Sequence, residues 1–246
     1  MIPKIIHYCW FGGKEMPAQL KKYIKSWKKY CSDYEIKLWN EENFDINSNQ
    51  YVKEAYENKK YAFVTDYVRL FALYNYGGIY MDTDVEILKP LDGFVQNKAF
   101  FGFESKDYIQ TALIGSEPSH PIIKEFLDYY SNRHFINNSG ECDTTTNVKI
   151  ITKILKQHDL KLNNEIQNIC DAVFYPSDYF CPIDWKTKKK NVTKNTYAIH
   201  WFEGSWIQPK SAAQKLKDAI KKPLNKIFGK EKTKKIIKFL KGERDI

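Results

Sequence analysis

One stretch, residues 51–88, constrains the fold more than any other. From residue 51 to 76 apolar side chains recur every three or four positions, with Val64, Val68 and Phe71 in line and Leu70 and Leu73 beside them. That is the spacing of a helix with one buried face, and it predicts a single helix over 51–76. Gly77-Gly78 ends it, as glycine does where the backbone needs a positive φ. Residues 79–88 then read as a strand that Pro90 closes. The opening has the same alternation of elements. Residues 4–10 suit a buried strand, residues 18–30 carry Leu20, Tyr23, Ile24 and Trp27 at helical spacing, and residues 34–39 alternate. Strand, helix, strand predicts an α/β layer structure on a parallel sheet. Further strands are expected at 99–103 and 197–201, and helices at 121–130 and 148–157.

Composition removes the competing classes. With 246 residues, 43% of them apolar and 15% aromatic, the chain can bury a core without staples and is neither disordered nor fibrous. No apolar run approaches the ~20 residues of a membrane span. The opening MIPKIIHYCW has no charged region, long apolar stretch or cleavage site of a secretory leader. The five cysteines, Cys9, Cys31, Cys142, Cys170 and Cys181, are odd in number and form no CxxC pair. This set predicts a reduced, cytoplasmic setting, in which the sequons at Asn137 and Asn191 stay unmodified. The net charge of +9 is uneven: residues 207–246 hold thirteen Lys or Arg against four Asp or Glu, and residues 1–206 hold 26 of each.

The chemistry concentrates in Asp82-Thr83-Asp84, inside the expected strand IYMDTDVEIL. Alternating strand side chains would point both carboxylates the same way. Two carboxylates so placed suit a hard divalent cation, Mg²⁺ or Mn²⁺. Acidic pairs also occur on strand surfaces without metal. Sixteen residues before Asp82, the helix carries Asp66 and Arg69 at i, i+3. They could be a surface ion pair worth a few tenths of a kcal/mol. His200, in an apolar strand, reads equally as a core histidine or a ligand; Trp10 and Trp206 read equally as core or binding residues. His7 reads as structural.

The continuous stretch TDYVRLFALYNYGGIYMDTDVEIL resembles the DXD sugar-transferase family of bacterial capsular-polysaccharide glycosyltransferases and fungal initiating mannosyltransferases, family 32 of the glycosyltransferases. It is also similar to the glucosyltransferase domains of large bacterial toxins. The opening IPKIIHYCWFGG and the element HWFEGSW at 200–206 resemble that family's first strand and closing element. The resemblance spans residues 2–206 and implies a GT-A fold, a Rossmann-like α/β domain that binds a nucleotide-diphosphate sugar, a UDP-sugar, and Mn²⁺ or Mg²⁺. Carried over residue by residue, it implies that Trp10 lines the base pocket, Asp66 holds donor-sugar hydroxyls and Arg69 meets the diphosphate or the sugar. Tyr80 would line the donor site, Asp82 would touch ribose or the metal through water, and Asp84 would ligate the metal. His200 would add a metal or diphosphate ligand, and Ser205 and Trp206 would close on the leaving phosphate. Asp66, Arg69 and Asp84 would be the catalytic set. Where related enzymes carry an asparagine near the sugar, this chain reads YIQTALIGSEPSHP and offers Gln110 or Thr111; CDTTTNVKIIT lacks the family's Gly-Pro turn.

The expected organisation is a catalytic domain over 1–206 and a Lys-rich amphipathic helical appendage over 207–246. The expected function is metal-dependent, retaining sugar transfer to a saccharide or lipid-linked oligosaccharide acceptor in capsular or other surface polysaccharide synthesis. A toxin-like transferase acting on protein is the alternative within that chemistry. A haloacid-dehalogenase-type phosphatase also uses DxD after an apolar strand, but wants Thr or Val where this chain has Glu86. The tail raises a third reading, a non-enzymatic module for anionic surfaces. Lysine with a single tail arginine, Arg244, argues against nucleic acid as partner. Two basic amphipathic stretches fit the inner face of a membrane as a peripheral site, or else a helical hairpin packed on the domain.

Overall fold

The computed structural model describes residues 1–204. In chain order the elements are β1 (Ile5–Cys9), α1 (Ala18–Tyr30), β2 (Glu35–Trp39), a short 3-10 turn (Ile46–Ser48), α2 (Gln50–Glu57), α3 (Tyr61–Tyr76), β3 (Gly78–Met81), β4 (Val85–Ile87), β5 (Ala99–Gly102), β6 (Leu113–Ser116), α4 (Pro121–Asp128), α5 (Asn147–Lys156), β7 (Gln167–Ile169), β8 (Ala172–Tyr175), α6 (Ser177–Phe180) and β9 (Ala198–His200). Seven strands form one sheet in the order β2-β1-β3-β6-β5-β8-β7, and β4 pairs with β9 in a second sheet.

The α/β class is the expected one, but the sheet is mixed. β1 runs parallel to β2 and β3, and β5 to β8; β3–β6, β5–β6 and β7–β8 are antiparallel. The reason is the connection. β5 returns to β6 through a short loop with no crossover helix, and only an antiparallel neighbour can be reached that way. β6, β7 and β8 carry too few residues for a periodicity to stand out.

Strand alternation divides the core. Ile79 and Met81 of β3 and Phe100 of β5 face a cluster with Trp27 of α1, Val85, Ile87 and Phe180. Tyr80 and Phe101 face the other way, onto Val52, Val64, Val68, Ile123 and Ile151 of α2 to α5. The single helix expected over 51–76 is two. Asn58 turns its side-chain amide back onto the Glu54 carbonyl (2.9 Å) and Lys59 takes φ 57°, so the polar run Asn58-Lys59-Lys60 breaks the helix where no apolar side chain holds it to the sheet. Asn49 caps α2 by accepting from the Val52 amide (3.2 Å). At the far end of α3, Gly77 has φ 63°. Gly78 opens β3 at φ 104° with no room for a side chain, since a Cβ there would lie 2.6 Å from the Ile5 carbonyl. Helix and strand can therefore turn on each other within two residues. His7 is fully buried, donates from Nε2 to the Gly77 carbonyl (2.7 Å) and accepts from Trp39 at Nδ1 (3.1 Å). Burial drops its pKa to about 4, so it is neutral and structural.

Candidate active site

β1 and β3 are parallel, so their carboxyl ends share one edge of the sheet, and the candidate residues gather there. Asp82 follows β3, and its amide donates to the Ala112 carbonyl (2.8 Å). The Val85 amide then donates to the Asp82 carbonyl (3.0 Å) and closes a turn. The DxD segment therefore lies between β3 and β4, not within one strand as the sequence suggests. The turn, and not strand alternation, brings the two carboxylates together.

The third member arrives from far along the chain. Antiparallel pairing of β4 with β9 sets Val85 opposite His200. The Trp201 amide donates to the Asp84 carbonyl (3.0 Å) and the Glu203 amide to Asp84 Oδ2 (2.9 Å). His200 Nε2 stands 3.5 Å from Asp84 Oδ1. One ligand atom from each of Asp82, Asp84 and His200 lies within 4.8 Å of the others. Donor atoms on one ion at ~2.1 Å stand roughly 3 to 4.2 Å apart, so a small adjustment lets the three share it. Two carboxylate oxygens and an imidazole could together hold a divalent cation. His200 also differs from His7 in that its Nδ1 is buried without a hydrogen-bond partner, which is not the state of a satisfied core histidine.

Asp66 and Arg69 are no surface ion pair, being 9% and 5% exposed. Arg69 Nη2 donates to Asp66 Oδ1 (2.9 Å) and lies 3.5 Å from Asp82 Oδ1, while Nη1 donates to the Thr111 carbonyl (2.6 Å). Its guanidinium sits 4.7 Å from the Tyr80 ring centre, and the Tyr80 hydroxyl donates to Asp82 Oδ1 (2.7 Å). Tyr80 is 1% exposed, so it reaches the site through Asp82. Burial pushes the Asp66 carboxyl up to about 6; Arg69 opposes this and the Asp82 charge adds to it. Burial would also raise Asp84, but His200 and the Glu203 amide hold it below its usual value. His200 is raised well above the ordinary histidine value, because Asp84 and the neighbouring Cys181 outweigh its burial.

The structure thus brings together Asp66, Arg69, Tyr80, Asp82, Asp84 and His200. Trp10, at the carboxyl end of β1, is half-buried and donates its indole N–H to the Lys14 carbonyl (2.6 Å). Ser205, Trp206 and the tail lie outside the described residues. Several contributors escaped sequence reasoning. The Thr111 carbonyl and the Glu203 amide are backbone groups with no side-chain signature. Cys181 and Glu104 approach His200 through tertiary packing alone.

Residues 17–101 match the family described as the glycosyltransferase sugar-binding region containing a DXD motif. An uncharacterized glycosyltransferase, L373, of Acanthamoeba polyphaga mimivirus is 29% identical over 84% of this chain and 84% of its own length. Inositol phosphoceramide mannosyltransferase 3 of Schizosaccharomyces pombe is 32% identical over 54% of this chain, and the match spans 40% of the fungal protein. Among solved structures, the PaToxG glycosyltransferase has a TM-score of 0.43 at 19% identity, over 63% of this chain and 68% of that one. The matched family and these relatives are glycosyltransferases, which supports the enzyme class expected from the sequence.

Proposed function

We propose that the protein transfers a sugar from a nucleotide-diphosphate donor, a UDP-sugar, to a saccharide acceptor, with Mn²⁺ or Mg²⁺ held by Asp82, Asp84 and His200. The observation that carries this reading is the Asp82–Asp84–His200 cluster joined through Asp82 to the buried Arg69. When bound, the ion supplies electrophilic stabilisation of the diphosphate as negative charge grows on it. Arg69 adds a fixed positive charge in a site withdrawn from water, where it acts at greater strength than in solvent. Asp66, ionised or protonated near neutral pH, can accept from or donate to donor-sugar hydroxyls. Tyr80 holds Asp82, Trp10 lines the base, and Ser205 and Trp206 close on the departing phosphate. In the transfer, the bond from the anomeric carbon to the phosphate oxygen breaks as the acceptor oxygen bonds that carbon on the same face. The hydroxyl proton passes to the departing nucleoside diphosphate, so configuration is retained without a protein nucleophile.

The name of the fungal relative, an inositol phosphoceramide mannosyltransferase, supports acceptors of glycolipid type, and we place the reaction in surface polysaccharide or glycolipid synthesis at a membrane face. No helix among the described residues is long and apolar enough to cross a membrane. The thirteen cations of residues 207–246 would hold the enzyme on anionic lipid at about 1 kcal/mol per charge near the surface. The test is a panel of UDP- and GDP-sugars with the full-length protein and Mn²⁺, scored for donor hydrolysis and for binding. One nucleotide sugar should bind and hydrolyse, and EDTA should abolish both. Indifference to every donor with Mn²⁺ present overturns the reading.

A further inference from the structure

A cleft of ≈ 470 Å³ opens between the segment after β5 and the segment after α6. It has the size of a small-molecule site. Its lining includes Glu104 and Cys181, the two side chains that approach His200 from this direction. The outer wall is a hairpin, Ile183 bridged to Lys190. Asp184 ties it shut: Oδ1 accepts from the Lys186 amide (3.1 Å), the Thr187 amide (2.6 Å) and the Thr187 hydroxyl (2.8 Å). The Asp184 amide donates to the Lys189 carbonyl (3.0 Å). The hairpin is therefore a fixed turn, and it presents Trp185, 47% exposed, to the cleft. An indole left half in water by a well-bonded turn is a costly way to place a large apolar ring, and such a ring offers a face to a flat, partly apolar ligand.

The charge of the hairpin adds a second observation. Lys186 and Lys189 line the cleft with Trp185, and the Lys186 ammonium stands 5.4 Å from the indole centre. Lys188 and Lys190 lie over the rings of Phe202 and Trp201, at 5.5 and 4.5 Å. The one acid in the turn, Asp184, is used to close it. Among the described residues the lysines that pair with carboxylates are Lys4, Lys21, Lys98 and Lys124; the four of the hairpin do not.

We propose that this cleft seats the acceptor, with a saccharide ring on the exposed face of Trp185 and an anionic substituent of that saccharide, a phosphate, held by Lys186 and Lys189. The assignment rests on the glycosyltransferase reading. The donor side of the metal cluster is occupied by Asp66, Arg69 and Tyr80, so the second substrate has to approach His200 and Asp84 from elsewhere. The cleft borders His200 at one remove: Cys181 and Glu104 of its lining adjoin that side chain, and Lys188 of the hairpin lies over Phe202, whose ring centre is 3.9 Å from that of His200. A ring stacked on Trp185 would offer a hydroxyl inward toward the metal cluster and its charged group outward to the lysines.

The test uses full-length protein with mannose 6-phosphate and mannose as matched probes, and inorganic phosphate as a competitor. The wild type should bind mannose 6-phosphate about tenfold more tightly than mannose. Lys186→Gln with Lys189→Gln should erase that preference, and Trp185→Ala should weaken both sugars about tenfold, with Trp185→Phe restoring most of the loss. Mn²⁺-dependent UDP binding should stay unchanged in all of these variants, which also reports that they fold. Sugar binding indifferent to Trp185 and to both lysines, with UDP binding intact, overturns the acceptor assignment alone. Competition by inorganic phosphate as strong as by the sugar phosphate reduces the cleft to an anion site and overturns it too. No binding of any UDP- or GDP-sugar by the wild type overturns the glycosyltransferase reading and this one with it.

Discussion

Glu54 on α2 and Asp66 on α3 are carboxylates on neighbouring helices over the same face of the sheet, and they are treated in opposite ways. Glu54 is 14% exposed at its side chain. It accepts from the amides of Phe135 (2.7 Å) and Ile136 (3.0 Å) and from Gln50 (2.8 Å), and meets His134 Nδ1 at 2.7 Å. Burial works to raise its pKa, but the Ile136 amide, Gln50, His134 and the Phe135 amide outweigh it and pull the carboxyl down to about 2. Asp66 shares Arg69 with Asp82 and is pushed up to about 6. Glu54 has donors to spare and pins the loop after α4 to α2. Asp66 has fewer, and burial prevails. A buried carboxylate left under-compensated is kept at a cost to stability, and such groups cluster at functional sites.

Substitutions can break that contrast, and the largest effect is expected at the metal cluster. Asp84→Asn is nearly isosteric and removes only charge; transfer and donor hydrolysis should fall to background, about a thousandfold or more, with the circular dichroism spectrum unchanged. Activity above a few per cent with metal still bound would separate Asp84 from the metal. Next come the buried pair. Arg69→Lys should cost roughly a hundredfold in kcat/KM, because a single ammonium cannot reach Asp66, Asp82 and the Thr111 carbonyl together. Asp66→Asn should lose activity on a similar scale, roughly a hundredfold, yet leave the melting temperature at pH 7 unchanged or higher, since Arg69 keeps Asp82 and a carboxyl raised to about 6 opposes folding once ionised. A stability loss as large as the activity loss would make Asp66 a strut like Glu54.

Glu54→Gln should do the reverse, destabilising by about 1–3 kcal/mol in urea unfolding while kcat/KM stays within twofold. The smallest effect is in pH dependence, and its sign differs between the two carboxyls. With its folded pKa depressed to about 2, Glu54 contributes stability above the ordinary glutamate range, and that contribution is lost as pH falls through about 4 toward 2. The Glu54→Gln variant should lose less stability than wild type over that window. Asp66, with its folded pKa raised to about 6, opposes folding as it ionises between roughly pH 4 and 6, so wild type should lose stability relative to Asp66→Asn as pH rises through that interval. Parallel curves in either comparison would remove the contrast.

The sequence made the α/β class legible, because glycine pairs and apolar periodicity around α3 and β3 are local signals. It also placed Asp66, Arg69, Asp82 and Asp84 as a set through a motif with four parts in order. What it could not show was set by tertiary geometry. β6, β7 and β8 are three or four residues long, below the length at which alternation can be read. The break at Asn58 to Lys60 left the apolar spacing on either side nearly in phase. The turn at Asp82 to Asp84 depends on a bond between backbone groups, Val85 to Asp82. Burial of the Asp66–Arg69 pair depends on tertiary neighbours such as the Thr111 carbonyl, and nothing in an i, i+3 spacing distinguishes that from a surface pair.

The pairing of β4 with β9 fixes when the cluster can assemble. His200 stands more than a hundred residues after Asp84 in the chain, and translation proceeds at roughly 5–20 residues per second from the N-terminus. For several seconds the nascent protein holds both aspartates and the Asp66–Arg69 pair without the strand that completes the cluster. Until β9 emerges and docks, Asp84 lacks His200, the Glu203 amide and the Trp201 contact to its carbonyl. An arrested ribosomal product ending before residue 198 therefore carries the whole recognisable motif and no assembled centre. Synthesis itself delays that assembly, because among the described residues the last strand to leave the ribosome is the one that brings His200 to Asp84.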